Sequence, residues 1–392
     1  MKIRMLIANA YVGGGTARTV SSTASALAAR GHDVEVASVL RRREVASFPF
    51  DPRVEVTDLV DEWSLTHGHV SPGPVRAAWR RVAAGRRSIV ANHNDRRTME
   101  WSLYTDLEMV RWLRSVRDGV LVGTRPGINL AIARFARPEV VRVAQDHMNL
   151  PTYRPGLKAD IERRYPGLDA VVTLTERDAA DYTALLQGRT RVTSIPNGVP
   201  DLGGHRSSLE PKVVITAGRL AKQKGYDRLL PVWAKVAAQR PDWRLEIYGA
   251  GDQEKRLRRQ LEELGLEGSA HLMGRTSELF ARMAQASLFV MTSRREGLPM
   301  VLLEAMGVGL PVISYDCPTG PRDVISDGVD GYVVPDGDED ALAGRMLELM
   351  DDREARERLA AAARAKAADY DVAVLAERWE RLFEELSAAK RG

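Results

Sequence analysis

Glu296-Gly297-Leu298-Pro299-Met300-Val301-Leu302-Leu303-Glu304-Ala305-Met306 is the stretch whose reading decides the fold. An apolar run, Ala286 to Met291, precedes it and reads as a buried parallel strand. Pro299 suits the first turn of a helix, where its missing N–H would have had no partner. Val301, Leu302, Ala305 and Met306 then recur at helical spacing. Glu296 therefore lies in a strand-to-helix loop and Glu304 on the helix itself. The N–H groups of Met300 and Val301 open towards the strand's C-terminal end. A helix N-terminus there favours an anion by roughly 0.3–1 kcal/mol, and by about 2 kcal/mol when partly buried. Carboxylates would repel a phosphate at that point. They suit hydroxyl groups on either side of it, one set from a ribose and one from a second sugar.

At 392 residues the chain is longer than single cores usually grow, so two domains are expected. Both halves read as alternating strands and helices. In the first, Ile3 to Asn9 is a strand leading into Gly13-Gly14-Gly15 and a helix through Ala29, a βαβ opening. The glycines do not match the G-x-G-x-x-G dinucleotide pattern. A helix over roughly 99–117 carries Leu103, Leu107, Val110 and Leu113 as its apolar stripe. The strand Val140 to Ala144 ends at Gln145-Asp146-His147, which puts His147 at a C-terminal strand end. In the second half, Val213 to Ala217 runs into Gly218-Arg219-Leu220-Ala221-Lys222-Gln223-Lys224-Gly225. Arg219 and Lys224 place a fork and a point charge for phosphate oxygens just beyond a strand.

Charge is uneven. Residues 1–197 hold 29 Lys and Arg against 21 Asp and Glu, while residues 198–392 hold 28 against 32. Arg76, Arg80, Arg81, Arg86, Arg87, Arg96 and Arg97 concentrate the excess, which fits either an anionic lipid or polyanionic acceptor or a plain solvated face. No reading motif or aromatic stacking array accompanies them, so nucleic acid is not expected as a partner. The single cysteine, Cys317, rules out an internal disulfide and suits a reducing cytoplasm; beside a strand it reads as a small buried hydrophobe. No signal pattern and no run of about 20 apolar residues is present. The expected location is the cytoplasm, with peripheral attachment to the inner face of the membrane as an option. His67 and His69 lack a third ligand at metal spacing, so no metal is expected.

The Glu-x7-Glu spacing with Gly-Leu-Pro, and the Arg219/Lys224 pair, resemble family-4 retaining glycosyltransferases. The resemblance implies the glycosyltransferase B architecture: two Rossmann-like doubly wound α/β domains facing each other across a deep cleft. Residues 1–197, rejoined by a C-terminal helix near 372–392, would bind the acceptor. Residues 198–371 would bind the donor, with the boundary at Pro196-Asn197-Gly198-Val199-Pro200. By the same resemblance Gly14 and Gly15 approach the donor diphosphate and sugar, and His147 contacts the transferred sugar or acceptor. The backbone at Arg275 pairs with the base. Thr319-Gly320 and Asp323 stand where many members have Gly-Gly and Glu, a looser correspondence.

These groups converge on a nucleotide-diphosphate sugar. Glu304 would take ribose hydroxyls. Arg219, Lys224 and the Leu298–Val301 turn, with its Met300 and Val301 amides, would take the diphosphate. Glu296 would hold the sugar. Preorganised cations and amides then stabilise charge growing on the leaving phosphate, with no metal and no cofactor beyond the substrate. The resemblance implies retained anomeric configuration, with Glu296 and His147 as the catalytic pair. UDP-hexose is the expected donor, ahead of GDP-mannose; a carbohydrate, polyol phosphate or lipid-linked acceptor is expected, with a natural product as the alternative. An NDP-sugar hydrolase or epimerase would share the donor crevice. A non-catalytic nucleotide-sugar binder at a membrane surface would fit the charges but leave Glu296 and His147 without a task. A dinucleotide oxidoreductase fits the glycine loop poorly, and no lysine context points to a pyridoxal phosphate phosphorylase.

Overall fold

A computed structural model describes residues 1–69, 80, 82–90, 95 and 100–391. Of the arginines singled out above, Arg76, Arg81, Arg96 and Arg97 lie outside the described residues. The chain divides into two compact units, Met1–Gly198 with Val372–Gly392, and Val199–Asp371.

The first unit holds β1 (Lys2–Ile7), β2 (Asp33–Arg41), β3 (Glu55–Asp61), β4 (Val120–Gly123), β5 (Val141–Gln145), β6 (Ala170–Thr173) and β7 (Arg191–Ser194). They form one parallel sheet in the order β3-β2-β1-β4-β5-β6-β7. The second holds β8 (Val213–Ala217), β9 (Arg244–Tyr248), β10 (Ala270–Gly274), β11 (Leu288–Met291), β12 (Val312–Tyr315) and β13 (Gly331–Val334). Their order is β10-β9-β8-β11-β12-β13, again all parallel. The central strands are rich in apolar residues because helices cover both faces, and β4, β11 and β12 have every residue buried. In each sheet the order reverses beside the first strand, between β1 and β4 and between β8 and β11. That reversal splays the following loops and leaves a crevice at the C-terminal strand ends.

The last helix, Val372–Arg391, packs in the first unit although the whole second unit precedes it. Leu375, Ala376, Trp379, Leu382, Phe383 and Leu386 are buried on one face, in a cluster with Ile3, Val20 and Val143. Polar ties add to this packing: Arg378 Nη2 donates to Ser194 O at 2.8 Å, and near the C-terminal end Lys390 Nζ donates to Asp169 Oδ2 at 2.8 Å.

One helix differs from its expected phase. Leu103–Ser115 buries Tyr104, Thr105, Asp106, Met109 and Leu113, and Leu107 is 49% exposed. Of the expected stripe only Leu113 is fully buried, because an acidic residue takes a core position. Asp106 accepts from Ser88 Oγ at 2.5 Å and from the Ile89 and Val90 N–H groups at 2.7 and 3.1 Å. A reciprocal capping box between Ser102 and Thr105 sets the rotation of the first turn. Asp106→Ala orphans three donors at once, so thermal unfolding should show a loss of about 3 kcal/mol, whereas Leu107→Ala should change stability by about 0.5 kcal/mol or less.

Candidate active site

In the second unit the crevice between β8 and β11 collects most of the residues singled out from the sequence. Arg219 follows β8, is exposed, and makes no ion pair among the described residues. Lys224 ends a short 3-10 turn, Lys222–Lys224, and its Nζ donates to Glu296 Oε1 at 2.7 Å. The side chains are 23% and 9% exposed, so this pair is largely shielded from water. Lys224 and Glu296, read separately as a phosphate ligand and a sugar ligand, are therefore in direct contact.

Beyond Glu296, Leu298 is buried and the helix Met300–Val308 begins with Pro299 as its N-cap, one position earlier than a first-turn proline. Contrary to the expectation from the sequence, the Met300 N–H is not open: it donates to Leu298 O at 2.9 Å in a tight three-residue turn. Among the described residues nothing accepts the Val301 N–H, and no acidic side chain occupies that first turn. The Val301 amide is thus left open at this helix end. Glu304, one turn on, is buried at 1% exposure. Arg275 lies apart, exposed after edge strand β10, two strands from β8. Cys317 is buried beyond β12, and burial with Glu296 nearby pushes its thiol up to about 12. It stays protonated and serves as packing.

In the first unit, Gly14 is the N-cap of the helix Gly15–Ala29, with no side-chain cap and no acid in the first turn. A Cβ added at Gly14 or Gly15 would meet nothing within 4 Å, and neither residue is in the left-handed region, Gly14 being extended at φ 166°. Packing within the chain therefore does not demand glycine at either position.

His147 follows β5 with both ring nitrogens shielded and no well-formed hydrogen-bond partner. Burial, reinforced by the Arg125 charge and only weakly opposed by Asn197, pushes its imidazole down to about 4. The ring is neutral at pH 7. Arg125 is itself held by Asp95 through two bonds of 3.0 and 2.5 Å. Asp146, quoted beside His147 but given no role from the sequence, proves the more elaborate group. It is buried, accepts from Asn129 Nδ2 at 2.8 Å and Tyr165 OH at 3.0 Å, and also accepts from Tyr182 OH. Burial pushes its carboxyl up to about 6 against those three donors, with Asp95 adding to the rise. The only sequence signal for it was an acid directly after an apolar strand.

Among the described residues no cluster of three or more His, Cys, Asp or Glu side chains could hold a metal ion. What the second unit offers is a cation, a carboxylate and an open amide at one strand-end crevice, a set suited to a ligand with both phosphate and hydroxyl groups.

A family model for "Glycosyltransferase Family 4" matches residues 13–201, and one for "Glycosyl transferases group 1" matches residues 203–366. The chain belongs to the family-4 glycosyltransferases. It is 35% identical to the exopolysaccharide phosphotransferase of Streptomyces coelicolor over 98% of its own length, yet spans only 41% of that protein. It is 29% identical to the amylovoran biosynthesis glycosyltransferase AmsD of Erwinia amylovora, across 72% of this chain and 82% of that one. Among solved structures, TarM of S. aureus in complex with UDP and alpha-GlcNAc-glycerol superposes with a TM-score of 0.75 at 16% identity, covering 97% of this chain and 99% of TarM. The pneumococcal O-GlcNAc transferase GtfA with UDP and GlcNAc gives 0.75 at 16%, covering 98% and 99%. These two likenesses establish the glycosyltransferase B fold.

Asp146 and His147 act oppositely on stability. Asp146 moves from 3.8 to about 6, so through that window the folded family-4 chain keeps a proton that the unfolded chain has lost, and stability falls as pH rises. His147 moves from 6.5 to about 4, so there the unfolded chain binds a proton that the folded one refuses, and stability rises with pH. The two slopes nearly cancel. Replacing His147 by Gln removes the second alone, and urea unfolding should then show stability dropping by up to about 3 kcal/mol between pH 4 and 6 relative to wild type. A slope unchanged from wild type would show that the pair does not titrate this way.

Proposed function

We propose that the chain transfers a hexosyl group from a nucleotide-diphosphate sugar, UDP-hexose first, to a hydroxyl of a carbohydrate, polyol phosphate or lipid-linked acceptor, with retention of configuration. The observation that carries this is the Lys224–Glu296 contact beside the open Val301 amide at the β8/β11 reversal. A phosphate entering there meets Lys224, Arg219 and the amide. The sugar beyond it meets Glu296, whose carboxylate Lys224 then shares with the phosphate. The Val199–Asp371 unit is accordingly the donor domain and the Met1–Gly198 unit the acceptor domain. Gly14 and Gly15 leave backbone room for the donor, and Arg275 offers its main chain to the base.

The step balances within the substrates. The bond from the anomeric carbon to the β-phosphate oxygen breaks, and a bond to the acceptor oxygen forms on the same face. The leaving phosphate takes the acceptor's proton. Charge growing on that phosphate is met by donors already in place, so the chain supplies its own electrostatic stabilisation without a metal. Glu296 orients the sugar and stabilises positive charge at its ring. Neutral His147 hydrogen-bonds a sugar or acceptor hydroxyl.

The Streptomyces relative is named for phosphate transfer, and chemistry separates the two readings. Glycosyl transfer releases a nucleoside diphosphate; transfer of a sugar phosphate releases a monophosphate. Chromatography of reactions with UDP-hexoses should therefore show UDP, unaffected by EDTA, and Glu296→Gln should cut the rate by about 100-fold or more. Release of UMP would favour the phosphotransferase reading instead.

We also propose peripheral attachment to an anionic membrane on the cytoplasmic side. No helix among the described residues is long and apolar enough to cross a bilayer. Arg86 and Arg87 are exposed between Val82 and Ile89, which are 56% and 76% exposed, a combination of cations and apolar tips suited to a lipid surface. Sedimentation with phosphatidylglycerol vesicles should retain the wild type and lose an Arg86→Glu/Arg87→Glu double variant. Equal binding to neutral vesicles would count against the proposal.

A further inference from the structure

Arg228 belongs to no motif, yet it touches the ends of three strands at the donor crevice. It sits on the helix Tyr226–Ala237, which follows the Lys224 turn. Its Nε donates to Thr292 O at 2.8 Å and its Nη2 to Ser293 O at 2.5 Å, both just beyond β11. Its Nη1 pairs with Asp336 Oδ1 at 2.7 Å, just beyond β13, and its guanidinium lies 4.4 Å over the Tyr315 ring at the end of β12. At 15% side-chain exposure the group is largely shielded. All three nitrogens and one face of this planar cation hold loops in register.

Other contacts zip the same two loops together. Arg294 Nη1 and Nη2 grip Asp227 at 2.7 and 2.9 Å, and Nη1 also donates to Lys222 O at 2.7 Å. The Arg294 N–H reaches Gln223 O at 2.7 Å, and Gln223 Nε2 returns to Arg295 O at 2.8 Å. Gly225 lets the backbones meet: at φ +70° a Cβ there would lie 1.9 Å from Thr292 O. The turn that carries Lys224 and the loop that carries Glu296 are thus one clamped body.

We infer that Arg228 is a positioning residue for glycosyl transfer, fixing the Glu296 loop against the Lys224 turn so that diphosphate and sugar are held in one geometry. The inference rests on the transferase reading above. Without the clamp, Lys224 and Arg219 still capture a diphosphate, but the sugar-holding carboxylate loses its register to it. Binding of the nucleotide and turnover of the nucleotide sugar should therefore separate.

The control is Arg356, which likewise directs a buried guanidinium at carbonyls, Leu349 O at 2.6 Å and Met350 O at 3.1 Å, on a part of the unit that carries no site residue. Arg228→Gln and Arg356→Gln should both unfold at lower temperature than wild type. Below those midpoints, calorimetric titration should show Arg228→Gln holding UDP within about threefold of wild type while kcat with a UDP-hexose falls at least about tenfold. Arg356→Gln should keep both. Parallel loss of UDP affinity and turnover in Arg228→Gln, or an unchanged kcat, overturns the inference. A wild type that neither binds UDP nor turns over a nucleotide sugar overturns the transferase reading and the inference together. If Arg228→Gln does not fold, Asp336→Asn removes only the charge partner and should show the same separation in weaker form; its absence there is equally decisive.

Discussion

Parallel pairing imposes the arrangement of everything else in this chain. Because all strands of each sheet run the same way, every strand-to-helix loop of a unit leaves from one edge. Where the order reverses, between β1 and β4 and between β8 and β11, neighbouring loops turn to opposite faces and cannot close over one another. The edge is therefore open at one place per sheet, with helix N-termini beside it. In the second unit the residues at that opening are Arg219, Lys224, Glu296 and Val301.

The Lys224–Glu296 pair holds charge in readiness inside that opening. An exposed pair of this kind is worth little, because water competes with both partners. Here the shielding raises the cost of separating the two ions, so neither swings away before a ligand arrives. An arriving phosphate can share the lysine, and a hydroxyl can donate to the carboxylate, without either group being stripped bare. The clamp around Arg228 and Arg294 supplies the rigidity such sharing requires, since a small displacement of either loop would change the distance between the two charges.

Much of the architecture was legible because strands buried on both faces appear as short continuous apolar runs, and Val213–Ala217 and Leu288–Met291 are of that kind. The loops after them stood out by charge and by Gly-Leu-Pro. The contact between Lys224 and Glu296 was not legible, since it spans 72 residues and depends on β8 lying beside β11. The phase of the helix Leu103–Ser115 was misread because Asp106 is buried by virtue of donors on a distant loop. The sequence assigns Asp146 and Arg228 no role for the same reason. A buried charged side chain is specified by partners far along the chain, and local periodicity carries no record of them.

The placement of Val372–Arg391 has a consequence for how the chain acquires its shape. The first unit needs Leu375, Trp379 and Phe383 to complete its core, whereas the second is built from one uninterrupted segment. During synthesis the usual order, N-terminal domain first, cannot run to completion. The early-made sheet must wait, with an apolar groove uncovered, while some 170 residues of the second unit are made and become free to fold. Newly made chains at that stage are the natural clients of chaperones, and a ribosome stalled before Val372 would release a chain with one finished unit and one unfinished.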